Sequence, residues 1–105
     1  MPRRTEKMFQ RDLKNEIVDT IPGSVVLKTD PTGFQGIPDL LVLYRGRFAA
    51  LEVKRDSAAA HRPNQDIYIN RLRENGYATF VYPENKDKVM QDLYEYFGVN
   101  HDEIQ

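Results

Sequence analysis

The chain contains no cysteine, which excludes both a disulfide framework and a thiolate metal site. An intracellular, cytoplasmic setting is the expectation that fits. No apolar run approaches the ~20 residues that a membrane span needs, so no membrane is expected among its partners. The opening Met1-Pro2-Arg3-Arg4-Thr5-Glu6 has no apolar stretch behind its charges, so a signal peptide is not expected. A strong net charge is also lacking, since the formal value is −1 at pH 7. The distribution is less neutral than the sum. The acidic residues concentrate from Glu84 onward, which leaves a mildly basic body compatible with a phosphate backbone.

What is there is enough for one small domain, expected to span residues 1–105. Phe9, Leu13 and Ile17 recur at four-residue spacing, predicting a helix from about Glu6 to Ile21, capped by Thr5 and ended by Pro22-Gly23. At ~100° per residue, Glu6 falls within about 20° of the centre of that apolar stripe. A carboxylate there would need a partner or a cation. Glu16 falls at the stripe's edge, where solvent is expected.

Ser24 to Thr29 is β-branched and predicts a strand, followed by a turn-rich loop to Gly36. Asp39 to Tyr44 and Phe48 to Lys54 predict a β-hairpin turning at Arg45-Gly46. Their nearly continuous apolar centres suggest central strands covered on both faces. Arg55 to Arg62 reads as a mobile loop. Pro63 suits the first turn of a helix running to about Asn75, with Ile67, Tyr68, Arg71 and Leu72 as its packing face. Ala78 to Tyr82 predicts a further strand and Asn85 to Phe97 a last helix, with a frayed tail from Val99. The order α-β-β-β-α-β-α implies an α/β (mixed α+β) fold, a central mixed sheet flanked by helices.

Alternation along a strand puts Glu52 and Lys54 on one face, and the hairpin brings Asp39 beside them. Three ionisable groups beside apolar runs are hard to explain as solvated surface. Asp39 and Glu52, with the backbone carbonyl of Val53, offer oxygen ligands suited to Mg²⁺ or Mn²⁺. A cation there can polarise a phosphodiester and lower the pKa of a water. Lys54 can neutralise developing charge, and Gln65, early in the next helix, can orient the water or the phosphate. Each piece has a plainer reading: Pro38-Asp39 as a loop breaking into a strand, Glu52 and Lys54 as a surface pair, Gln65 as a solvated helix residue. The ordered set is what sets them apart.

Pro38-Asp39, Glu52-Val53-Lys54 and the downstream Gln65 together resemble the PD-(D/E)XK nucleases, and within them the VRR-NUC family, the virus-type replication and repair nucleases. The likeness runs from Glu6 to about Tyr82, and the family's first-helix glutamate maps best to Glu6. The resemblance implies a restriction-endonuclease-like core and metal-dependent phosphodiester hydrolysis, with Asp39, Glu52, Lys54, Gln65 and Glu6 as catalytic residues. Small stand-alone members, typical of bacteriophages and acting inside the host cell, look like homodimeric endonucleases for branched DNA such as Holliday junctions. Nicking, flap or restriction-like cleavage of DNA, or a non-catalytic DNA-binding module on the same fold, are the alternatives.

Several basic residues are candidate DNA contacts. Arg3, Arg4, Lys7 and Arg11 form an N-terminal arm and helix face, and Arg55, His61 and Arg62 flank the loop between Lys54 and Gln65. A solvated charged surface would explain either group equally. Phe34 invites a wedge reading or, more simply, loop packing. Tyr94, Tyr96 and Phe97 fit core or dimer contact better than base stacking.

Overall fold

The computed structural model describes residues 5–30, 32–33 and 35–99. The elements run α1 (Glu6–Thr20), β1 (Val25–Lys28), β2 (Leu40–Tyr44), β3 (Arg47–Val53), α2 (Gln65–Arg73), β4 (Tyr77–Val81) and α3 (Lys86–Phe97). This is the expected order. The four strands form one sheet in the order β1-β2-β3-β4. The first two pairings are antiparallel and β3 pairs parallel with β4. A parallel pair needs a crossover, and α2 supplies it.

Local chemistry explains the boundaries. Thr5 accepts a hydrogen bond from the Met8 amide through Oγ1 at 3.1 Å, satisfying one of the free donors at the start of α1. The β2–β3 turn places both Arg45 (φ 49°) and Gly46 (φ 78°) in the left-handed region, as a two-residue hairpin turn requires. α3 ends on Gly98 (φ 71°), and the Val99 amide then bonds back to the Tyr94 carbonyl at 2.8 Å.

The two faces of the sheet are built differently. On one face α1 and α3 cover Val26, Leu40, Val42, Ala49, Leu51, Val53 and Val81, making the principal core with Leu13, Ile17 and Leu93. On the other, α2 lies over Ala50 and Ala78 through Ile69, a much smaller cluster. Register puts Asp39, Glu52 and Lys54 on this α2 face, because they share the parity of Leu41 and Ala50.

Several expectations are corrected. Central strands covered on both faces hold for β3 alone. On the α2 face Leu43 of β2 is 37% exposed, and Val25 and Leu27 of β1 are open as well, because α2 is only nine residues long and spans half the sheet. The packing face of α2 is Gln65 and Ile69 with the half-buried Tyr68 and Leu72, whereas Ile67 and Arg71 face solvent. Pro63 does not open the helix. Asn64, in the left-handed region at φ 73°, stands between Pro63 and the first helical residue. Glu16 is paired with Lys86 at 2.9 Å rather than simply solvated. Val99 is buried in the principal core, so the tail does not fray there. Tyr94 and Phe97 are core and Tyr96 packs against it. Phe34 lies outside the described residues.

The loop between β3 and α2 is the largest correction. Polar and alanine-rich, it reads as mobile, yet it is tied down at several points. Ser57 donates to Glu84 from both its amide (3.1 Å) and its hydroxyl (2.8 Å). The His61 ring stacks on Phe80, and the backbone at Ala60 and Arg62 bonds side chains of the site.

Candidate active site

Among the described residues, the buried polar or charged residues are Glu52, Lys54 and Gln65, at 5%, 6% and 5% exposure. They are three of the residues singled out by motif, and they touch one another. Burial of such groups is costly unless they are partnered, so their partners define the site.

Gln65, the first residue of α2, is the hub. Its amide nitrogen donates to Glu52 Oε2 at 3.0 Å. Its carbonyl oxygen accepts from Lys54 Nζ at 2.8 Å and from the Arg62 amide at 2.8 Å. Two donors on one oxygen fix the orientation of the amide. Lys54 donates a second bond to the Ala60 carbonyl at 3.1 Å and stands 4.0 Å from Glu52 Oε2. An ammonium has three donors, so one remains for a substrate oxygen.

Asp39 is set immediately before β2. Its Oδ2 accepts from the Val53 amide at 2.8 Å, which locks the proline-aspartate loop to the end of β3. Thr29 holds the same loop from the other side. Its hydroxyl donates to the Pro38 carbonyl at 2.6 Å and its amide to the Asp39 carbonyl at 2.8 Å. An extended residue points its N–H and C=O to the same side, so the Val53 carbonyl also faces Asp39. Gly36 (φ +88°) lets the loop press on α2. A Cβ there would lie 2.9 Å from the Asn64 backbone and 3.0 Å from the Gln65 nitrogen.

The electrostatics are those of two neighbouring carboxyl groups, one of them deeply buried. Burial, before anything else, pushes the Glu52 carboxyl up to about 8. The neighbouring Asp39 adds to the rise by charge and by hydrogen bonding, Lys54 opposes it, and Glu6 contributes the smallest upward push. With both carboxyls ionised Asp39 is itself an acceptor, and among the described residues the buried Glu52 Oε1 has no hydrogen-bond donor. An orphaned oxygen beside a second carboxylate is what a divalent cation would satisfy. Asp39, Glu52 and the Val53 carbonyl therefore fit the donor set of a hard cation.

Glu6 does not join them. It is exposed at the first turn of α1, and among the described residues no three acidic or histidine side chains converge into a metal-holding group. Its charge nonetheless reaches Glu52, whose pKa it helps to raise. Lys7 and Arg11 line a shallow basic groove together with Lys14 and Lys28. The latter pair went unnoticed because α1 and β1 contribute one each. Arg55 and Arg62 are exposed beside the site. His61 is engaged within the fold, by Phe80 on its ring face and Asp66 at Nδ1. Arg3 and Arg4 lie outside the described residues. Thr29, Ala60 and Phe80 carry no motif that would have marked them.

This sheet, with an aspartate before one central strand, Glu-x-Lys at the end of the next and a glutamine opening the crossover helix, defines a nuclease domain of the PD-(D/E)XK type. No family profile and no curated protein matches the chain, but solved structures do. One, described as a VRR_NUC domain, is 31% identical, with a TM-score of 0.66 over 87% of this chain and 100% of its own. Another, a VRR_NUC domain protein, is 20% identical, with a TM-score of 0.67 over 95% of this chain and 93% of its own, a likeness of fold. The chain belongs to the VRR-NUC family. Among its described residues no helix is long and apolar enough to cross a membrane.

Proposed function

We propose that this domain is a metal-dependent endonuclease that hydrolyses phosphodiester bonds in branched DNA and resolves four-way junctions as a homodimer. The observation that carries the reading is the buried Glu52–Gln65–Lys54 chain beside Asp39. A fold needing only stability has little use for a carboxylate and an ammonium buried this deeply beside a second, half-buried carboxylate.

Asp39, Glu52 and the Val53 carbonyl would hold Mg²⁺ or Mn²⁺, which when bound supplies Lewis-acid polarisation of the phosphodiester and a lowered water pKa. Gln65 keeps Glu52 Oε2 occupied and leaves Oε1 available. Its carbonyl and that of Ala60 take two of the Lys54 donors, so the third is directed rather than free. Lys54 then neutralises charge developing on the phosphoryl oxygens, worth most where water is excluded. Arg55 and Arg62 beside this centre, and Lys7 and Arg11 in the basic groove, are candidate contacts to the DNA backbone. Glu6 acts on the electrostatics of Glu52 rather than as a direct ligand.

A junction presents two strands to be cut symmetrically, and a twofold dimer supplies two sites. That argument, together with the resemblance to small stand-alone members, supports junctions over flaps or sequence-specific duplex sites. Cleavage of a labelled four-way junction and of a matched linear duplex tests it. Metal-dependent cuts confined to the junction are expected, with a dimer mass by light scattering. Equal cutting of the duplex would remove the junction specificity. A strict monomer would remove the resolvase reading.

A further inference from the structure

The tripeptide Ala60-His61-Arg62 supplies two backbone contacts to the site, and neither comes from its central residue. The Ala60 carbonyl accepts from Lys54 Nζ at 3.1 Å and the Arg62 amide donates to Gln65 Oε1 at 2.8 Å. His61, between them, is anchored twice. Its ring lies parallel to that of Phe80, with centroids 3.9 Å apart and planes at 12°. Its Nδ1 is 3.0 Å from Asp66 Oδ1, on the first turn of α2. Phe80 pairs with Glu52 in the β3–β4 register. The stack therefore fastens the loop to the strand position beside the candidate metal ligand.

We infer that His61 is a positioning residue, a clamp that holds the 60–62 backbone where it fixes the Lys54 ammonium and the Gln65 amide. The inference rests on the nuclease reading for its effect on rate, but not for its effect on geometry. The Lys54 and Arg62 donors together decide which end of the Gln65 amide faces Glu52. If the loop slides, both weaken at once. The amide is then free to turn its oxygen toward the Glu52 carboxyl.

The stack is the stronger anchor. The contact with Asp66 is exposed at both ends, 40% and 64%, and exposed pairs of this kind contribute little. Parallel aromatic rings add directional attraction to the area they bury. A phosphate-contacting histidine would project its ring outward. This ring, though 40% exposed, has one face against Phe80 and its Nδ1 on Asp66.

The test compares His61→Ala, which removes both anchors, with His61→Phe, which keeps the stack and loses the Asp66 bond. The first readout is the Gln65 side-chain amide in a ¹⁵N-correlated spectrum of the metal-free protein. His61→Ala should shift or broaden that pair, while His61→Phe leaves it near its wild-type position. An unmoved resonance in His61→Ala overturns the inference whether or not the protein cuts DNA.

The second readout is cleavage. His61→Ala should lower kcat by about 10- to 100-fold with KM little changed, as a small misplacement of catalytic groups does. His61→Phe should recover most of that loss. In a Gln65→Ala background the further change to His61→Ala should cost less than it does in the wild type, because only the Ala60–Lys54 contact is then left to lose. A rise in KM alone with a shallower salt dependence would overturn the clamp and assign His61 to a phosphate. Wild-type protein that cuts no DNA would defeat the nuclease reading and leave the clamp to be decided by the amide resonance.

Discussion

The two faces of this sheet bury side chains for different ends. Under α1 and α3 every buried residue is apolar, from Phe9 through Val42 and Leu51 to Leu93. Under α2 the buried apolar set is Ala50, Ile69 and Ala78, and next to it lie Glu52, Lys54 and Gln65, equally shielded from water. One strand serves both. Alternation sends Leu51 and Val53 into the principal core and Glu52 and Lys54 into the site. The well-packed face holds β3 rigid, which keeps the ionisable groups on its back in register. Chemistry and stability should thus be separable by the face on which a residue lies.

The largest effect expected from breaking this division is on catalysis. Asp39→Asn and Lys54→Ala should each lower cleavage by on the order of 10²–10³-fold. Asp39→Asn should leave thermal stability unchanged or slightly raised, since it keeps an acceptor for the Val53 amide and relieves the pressure on Glu52. Melting curves beside cleavage rates check this, and a large fall in melting temperature would merge the two faces. The mirror experiment is Leu93→Ala, at 0% exposure on the opposite face. It should cost roughly 2–5 kcal/mol by denaturant titration, with kcat of the folded fraction retained.

The comparison sharpens with pH. The folded-state pKa of Glu52 lies at about 8, above its ordinary value of 4.5. The native state therefore binds more protons than the unfolded chain between those values. Stability of the metal-free protein contributed by protonated Glu52 is fully present below about pH 4.5 and is lost as pH rises through about 8. Denaturant midpoints in chelator should fall across that window. Glu52→Gln should flatten the fall, and so should saturating Mg²⁺. An identical slope in Glu52→Gln would place its cause elsewhere.

The smallest expected effect belongs to the helix cap. Thr5→Ala removes one exposed hydrogen bond and should cost about 1 kcal/mol with no change in kcat, measurable by the same titration. A change in kcat would mean that α1 transmits strain to Glu52.

Periodicity and turn chemistry made most of this fold legible. Phe9, Leu13 and Ile17 announce α1, Arg45-Gly46 the hairpin, and the motif order the site. What stayed hidden had long-range causes. Glu6 was assigned by its angle on a helical wheel and by the family likeness, and neither reveals that it is exposed at the first turn of α1. The choice of Ile69 over Ile67 depends on how α2 lies across Ala50 and Ala78. The Arg55–Arg62 loop reads as mobile because its anchors, Phe80 and Glu84, lie 19 and 27 residues from His61 and Ser57 and bear no pattern linking them to it. The Ala60 carbonyl and the Arg62 amide are backbone, and no residue type reveals them.

The central claim is that Asp39 and Glu52 form a cation site on the back of a rigid strand. Calorimetric titration with Mn²⁺ near pH 7, repeated in buffers of different ionisation enthalpy, addresses it most directly. With the Glu52 carboxyl near 8, occupation must displace its proton. The account predicts a saturable site releasing close to one proton per cation, with release abolished in Glu52→Gln and binding greatly weakened in Asp39→Asn. Binding that neither releases a proton nor responds to either substitution would contradict it.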